Sequence, residues 1–181
     1  MFSLKVRGDI ELRPVAERDA KEILKIVKRN YEHLRPFLHW VSSDYSLESA
    51  REFIRQAQKA VAENTSRTFS IFYQEKIVGV VGFVVFNWQS RRTEIGYWID
   101  KNYEGRGIIT DSCKVLINYA FAELKMNRIE IRCATENTRS RRIPERLNFK
   151  LDGVLRRSEW RHTRFFDTAI YSLLAEEWEK K

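Results

Sequence analysis

Thr93-Glu94-Ile95-Gly96-Tyr97-Trp98-Ile99-Asp100-Lys101-Asn102-Tyr103-Glu104-Gly105-Arg106-Gly107-Ile108-Ile109-Thr110 is the stretch that decides the fold. Thr93 to Ile99 is rich in β-branched and aromatic side chains, which suit a pleated strand. From Ile108 to Leu124 the period changes, and Val115, Leu116, Tyr119 and Ala120 share one helical face. Strand, glycine loop and helix therefore follow one another. Gly105 and Gly107 allow the loop to turn its N–H groups inward, toward the positive end of the helix behind it. Arg106 between them adds a full charge. Such a turn suits a pyrophosphate, yet any tight strand-to-helix joint can use two glycines. No Gly-Lys-Ser/Thr follows, so this is not a P-loop. A third glycine and a parallel βαβ setting are missing too, which excludes a dinucleotide fingerprint.

Working outward, Thr68 to Tyr73 and Ile77 to Phe86 are strand-like and joined to Thr93–Ile99 by short turns, which predicts an antiparallel meander. Beyond the long helix, Ile129 to Ala134 reads as a strand and Thr138 to Leu147 as a short helix. Phe149 to Leu155 and Phe165 to Leu174 are two last strands around a polar turn at Arg161-His162-Thr163. Asn137 is placed to cap the short helix, and Asn148 to occupy its left-handed C′ position. Toward the N-terminus, Ile10 to Val15 alternates as a first strand. Ala20 to Leu34 recurs at helical spacing with Asp19 as its cap, an aromatic loop runs from Arg35 to Val41, and a second helix starts after Ser46. The pattern predicts one α/β domain over residues 1–181, with a mixed, mostly antiparallel sheet of about seven strands and helices on both faces.

Three segments together, Glu94-Ile95-Gly96-Tyr97-Trp98-Ile99, Tyr103-Glu104-Gly105-Arg106-Gly107-Ile108, and Asn137-Thr138-Arg139-Ser140 through Asn148-Phe149, resemble the GNAT superfamily of acetyl-CoA-dependent N-acetyltransferases. Within it the chain looks most like the Rim-type enzymes that acetylate the N-termini of ribosomal proteins. The loop Leu34-Arg35-Pro36-Phe37-Leu38-His39-Trp40 is similar to that branch as well.

The resemblance implies acetyl-CoA as co-substrate. Gly96, Tyr97, Trp98 and Ile99 match the strand that receives the pantetheine arm. Gly105, Arg106, Gly107, Ile108, Ile109 and Thr110 match the pyrophosphate loop, and Asn137 would touch the pantetheine. Two positions depart from the family: Glu104 stands where Gln or Arg is usual, and Ile109 where Gly or Ala is usual. A carboxylate beside a pyrophosphate repels it, so Glu104 is expected to point away or bond the loop backbone. Pro144 occupies the position of the Tyr that returns a proton to the thiolate in many members. It also leaves the Ser140 carbonyl without its i+4 donor. Rim-type enzymes lack that Tyr too, and their proton donor and base match Ser140 and Glu159.

The chemistry agrees. An amine attacks a thioester only when neutral. An N-terminal amine (pKa ~8) is neutral in roughly one molecule in ten at pH 7, a lysine (pKa ~10.4) in fewer than one in a thousand. A single carboxylate such as Glu159, working through water, is then enough for an N-terminal amine. Cys113 and Cys133 lack a nearby His for a covalent route, His162 lies close to Glu159 in sequence, and Glu94 is a secondary acid–base candidate beside Arg92. Phe37, Trp40 and Trp160 are aromatic candidates for the acceptor side. The residues offer no metal-ligand set.

Charge bounds the partners. Thirty-three Lys and Arg against 25 Asp and Glu give a net charge of +8 over 181 residues. Arg128 to Arg164 alone holds eleven bases against five acids. Such a field attracts phosphates and disfavours cationic small molecules. The acceptor that the resemblance implies is a protein N-terminus, a ribosomal protein among them, with an antibiotic or polyamine as the alternative. The charge disfavours the polyamine, and also repels a free basic ribosomal protein unless ribosomal RNA brings the two together. A CoA- or RNA-binding protein without catalysis is the other alternative. The basic surface also predicts a weak RNA contact, and a homodimer is admitted. The longest apolar run, Ile77 to Phe86, is half the ~20 residues of a membrane span. Lys5, Arg7, Asp9 and Glu11 interrupt any early apolar run, so no signal peptide and a cytoplasmic location are expected.

Overall fold

The computed structural model describes residues 3–178. Eight strands form one sheet among them: β1 (Leu4–Arg7), β2 (Ile10–Pro14), β3 (Arg67–Tyr73), β4 (Lys76–Asn87), β5 (Arg92–Ile99), β6 (Arg128–Ala134), β7 (Lys150–Arg161) and β8 (Arg164–Leu174). Their order is β1-β2-β3-β4-β5-β6-β8-β7, and every pairing is antiparallel except β5 with β6. The helices are α1 (Ala20–Arg29), α2 (Tyr31–Leu34), α3 (Leu47–Ala62), α4 (Ile108–Ala122), α5 (Thr138–Arg146) and α6 (Ala175–Trp178).

Period-two alternation sorts the strands between two cores. Ile71, Ile95, Ile129, Ile131 and Tyr171 join Leu116 and Ile117 of α4 on one face. Phe72 of β3, next to Ile71, and Trp98 of β5, three residues after Ile95, point to the other face, where Ile23, Val27, Ile54 and Ala57 of α1 and α3 pack. Helices thus cover both faces, as the pattern predicted.

The departures have local causes. The eighth strand is β1, only four residues long and alternating with charged Lys5 and Arg7, so it carries too little apolar signal to be read. The helix expected over Ala20–Leu34 breaks at Asn30 (φ −107°, ψ 16°). The Asn30 amide donates to the Ile26 carbonyl and to Asp100 Oδ1, and its oxygen accepts from the Lys101 N–H. A side chain that ties α1 to the end of β5 takes precedence over helix continuity. Asp19 does not cap α1: its buried carboxylate accepts from Ser70 Oγ at 2.8 Å and from the Ala16 N–H at 3.1 Å. Ser46 does cap α3, accepting from the Ser49 N–H. β7 runs six residues past the expected Leu155, through irregular pairing and a left-handed Arg157 (φ 49°), with nearly all its residues at least partly exposed. An exposed strand has no apolar face to alternate, which hid its length.

The break that matters lies between β5 and β6. They pair only at Arg92–Arg128, Thr93–Ile129 and Glu94–Glu130, then diverge. A bulge at Val84 of β4, opposite this point, adds local twist. From Ile95 onward β5 offers backbone groups to a widening gap.

Candidate active site

That gap opens into a cavity of about 450 Å³. Tyr97, Trp98 and Ile99 line it from β5. The loop contributes Gly105 and Gly107, the first turn of α4 Ile108, Ile109 and Thr110, and α5 its cap Asn137 and Ser140. All but Gly96 and Arg106 of the sequence-derived cofactor residues thus come together, and Ser140 joins them.

The loop has the predicted form. Gly105 (φ 75°) and Gly107 (φ 76°) are both left-handed, a conformation that residues with a Cβ adopt at a cost. Gly107 is the cap of α4, so the first N–H groups of the helix have no intrahelical partner, and the residues that carry them, Ile108, Ile109 and Thr110, line the cavity. Thr110 Oγ1 is buried there without a hydrogen-bond partner, an acceptor or donor left for a ligand. Arg7 of β1 braces the loop from behind, donating to the Arg106 carbonyl at 3.0 Å and to Asp111 at 2.5 Å. Arg106 itself is turned outward: its guanidinium lies 5.2 Å over the Tyr103 ring and donates to the Asn102 carbonyl at 3.2 Å. Ile109 fits because its side chain joins the core beneath α4.

Glu104 behaves differently from expectation. It lines the cavity, and neither points away nor bonds the loop backbone through its side chain. Oε1 pairs with His33 Nε2 at 2.7 Å, and Oε2 accepts from Arg139 Nη1 at 2.8 Å. Its charge is met on both oxygens by side chains the sequence reading did not single out. Arg142 and Arg146 of α5 also line the cavity. Their spacing with Arg139, three and then four residues, puts all three on one helical face, a signal available in the sequence. His33 offered no such signal, since only the break at Asn30 turns α2 toward the loop.

α5 shows what Pro144 does. Asn137 Oδ1 accepts from the Ser140 N–H at 3.1 Å, and Asn148 is left-handed (φ 61°), as predicted. The Ser140 carbonyl, deprived of its i+4 donor, accepts instead from the Tyr97 hydroxyl at 3.0 Å, and Ser140 Oγ donates back to Tyr97 Oη at 3.3 Å. Burial pushes the Tyr97 hydroxyl well above its usual pKa, so it stays neutral.

Glu159 sits on β7, outside the cavity lining. Oε1 accepts from Thr168 Oγ1 at 2.8 Å and Oε2 from Arg161 Nε at 3.0 Å. Burial alone would raise its pKa, but these hydrogen bonds and the Arg161 charge outweigh it and hold the carboxyl below its usual value. Glu94, where β5 leaves β6, shows the opposite balance: burial raises its pKa despite Arg132 Nε at 3.4 Å. His162 is engaged elsewhere, donating from Nε2 to the Arg35 carbonyl at 3.0 Å. Phe37 lines the cavity, the Trp40 ring lies tilted 6.1 Å from that of Trp98, and Trp160 is exposed on the hairpin against Phe165. Both cysteines are free and buried, and burial raises both thiols, Cys133 to about 11. Among the described residues no three or more His, Cys, Asp or Glu are grouped to hold a metal, and no helix is long and apolar enough to cross a membrane.

Known proteins resemble this chain over nearly its whole length. The chain is 34% identical over 180 residues to the "Putative ribosomal N-acetyltransferase YdaF" of Bacillus subtilis (strain 168), covering 99% of this chain and 98% of that one. It is 27% identical over 170 residues to the ribosomal-protein-serine acetyltransferase of Escherichia coli (strain K12), covering 94% and 95%. The microcin C7 self-immunity acetyltransferase MccE, solved in complex with acetyl-CoA and AMP, superposes with a TM-score of 0.90 at 28% identity over 94% of this chain and 95% of that one. The family described as "Acetyltransferase (GNAT) domain" matches residues 9–150, the stretch that holds the splayed strand, the glycine loop and α5. The chain belongs to that family, and is an N-acetyltransferase.

Proposed function

We propose that the protein transfers the acetyl group of acetyl-CoA to a protein N-terminal α-amine, a ribosomal protein being the favoured acceptor, and that it does so in the cytoplasm. One observation carries the reading. The cavity's charged lining is Arg139, Arg142 and Arg146, against the single, already paired Glu104. That lining suits an anionic cofactor and disfavours polyamines or aminoglycosides, which need acidic clefts. The names of two relatives, both concerned with ribosomal proteins, favour the same acceptor.

The residues divide the work as follows. Tyr97, Trp98, Ile99 and Asn137 hold the pantetheine arm. The N–H groups after Gly107 and the Thr110 hydroxyl receive the pyrophosphate. The amine attacks the thioester carbonyl, and Glu159 takes its proton through a water, since the carboxylate stands outside the cavity. The C–S bond breaks, and the thiolate takes a proton from Ser140, whose hydroxyl turns from Tyr97 to meet it and is restored by water. Glu94 is the second candidate base, favoured by its raised pKa, which brings it nearer to neutral pH than Glu159.

The test is acetyl transfer by the purified protein to peptides with N-terminal Ser or Ala, against spermidine and an aminoglycoside. The peptides are expected to be preferred by about 100-fold in kcat/KM. Equal or better turnover of the small amines would replace the protein acceptor with a small one.

A further inference from the structure

Glu104 is the residue that ought to weaken the site, and its geometry gives it another role. We infer that Glu104 is a positioning residue that presents Arg139 to the pyrophosphate of the cofactor, and that Arg139, rather than Arg106, is the cation of the phosphate site. This rests on the acetyl-CoA reading above and extends it.

The glycine loop has no cation of its own facing the cavity. Arg106 is committed to the Tyr103 ring and the Asn102 carbonyl, and does not line the cavity. Arg139 lines it beside Gly105 and Gly107. Its side chain is 60% exposed, and a long exposed arginine samples many rotamers. Glu104 limits that sampling by accepting from Nη1 at 2.8 Å. The remaining guanidinium protons have no protein partner among the described residues and are free for a phosphate oxygen. A planar guanidinium can serve a carboxylate on one edge and a phosphate on the other.

His33 completes the device. Its side chain is 18% exposed and held on α2, and it pairs with the second Glu104 oxygen at 2.7 Å. Glu104 is therefore fixed from α2 while it fixes Arg139 on α5, and each oxygen of its carboxylate is met by a side-chain partner. Repulsion is thereby converted into placement.

The two roles predict opposite signs, which calorimetric titration with CoA reads directly. If Glu104 places Arg139, Glu104→Gln weakens CoA binding by about threefold to fivefold, because a neutral amide holds the guanidinium less firmly. Arg139→Ala weakens it by about tenfold, one charge-assisted contact. The double variant is no weaker than Arg139→Ala alone, since Glu104 then has nothing to place. Arg139→Lys falls between, and serves if the alanine variant does not fold. Dephospho-CoA, which keeps the pyrophosphate, shows the same losses. Tighter CoA binding by Glu104→Gln, or additive losses in the double variant, would overturn the inference. So would losses that vanish with dephospho-CoA, which would assign Arg139 to the 3′-phosphate. Failure of the unsubstituted protein to bind CoA sinks the acetyl-CoA reading itself, a result distinct from all three.

Discussion

The two ends of the splayed strand are built on different principles. Around Gly105–Thr110 the recognising groups are largely backbone, and their placement is enforced at several points: positive φ at two glycines, Arg7 behind the loop, and Asn30 and Arg29 converging on buried Asp100. Around Glu159 the groups are side chains on an exposed hairpin, where Trp160 and Phe165 are more than half exposed and Arg157 is left-handed. Backbone recognition of a constant cofactor needs a rigid frame. Recognition of a variable acceptor needs a surface that can change without disturbing that frame, and an edge hairpin supplies one. Substitutions at the two ends should therefore fail in different ways.

Gly107→Trp is expected to have the largest effect. A Cβ at Gly107 meets Asp111 Oδ2 at 3.4 Å and Arg7 Nη2 at 3.5 Å, so the carbon itself fits. The positive φ costs about 1–2 kcal/mol, and the indole fills the cradle. CoA affinity should fall by about 100-fold or more while the acceptor end is untouched. Unchanged CoA affinity, measured by calorimetry, would show that the phosphates lie elsewhere.

Glu159→Gln strikes the other end. It should lower kcat by about 100-fold with little change in CoA binding, the lower range for a general base. The pH dependence sharpens this. Because Glu159 is held below the usual carboxyl value, it is ionised through the whole neutral range, and a rise in kcat/KM with pH reports the acceptor amine. For an N-terminal amine that rise centres near ~8, and for a lysine near ~10.4. If Glu94 is the base instead, Glu94→Gln takes the larger loss. Its raised pKa then adds an acidic limb above the 4.5 of an ordinary glutamate, where falling pH protonates it and stops the reaction.

The contrast also explains what the sequence disclosed. Two glycines around one residue, an asparagine at each end of α5 and the meander were legible because each reflects a backbone requirement tied to residue type. β1, the length of β7 and the break at Asn30 were not, since each depends on contacts remote in sequence. Asn30 meets Asp100 across seventy residues, and nothing local to α1 announces it. His33 was missed for the same reason, since its meaning lies in Glu104, which was read alone and so read as a defect. Arg139 shared a legible face with Arg142 and Arg146, but its pairing with Glu104 was not legible. Pro144 was the intermediate case, because the lost donor could be deduced but not the replacement.

That replacement gives the subtlest prediction. Tyr97 donates to the Ser140 carbonyl because Pro144 cannot, so the two residues should be coupled. Tyr97→Phe in the unsubstituted protein leaves a half-buried carbonyl unmatched and should destabilise by about 1–3 kcal/mol. Pro144→Ala restores an N–H four residues on, and in that background Tyr97→Phe should cost roughly 1 kcal/mol less, read as a coupling energy in denaturant unfolding. Because the cycle subtracts any packing lost with the proline ring, only the shared carbonyl contributes. Additive costs would mean the carbonyl is satisfied by solvent in both proteins. In the coupled case, Ser140 is held against β5 by a bond that exists only because its helix carries a proline, and the same bond sets the reach of its hydroxyl toward the thiolate.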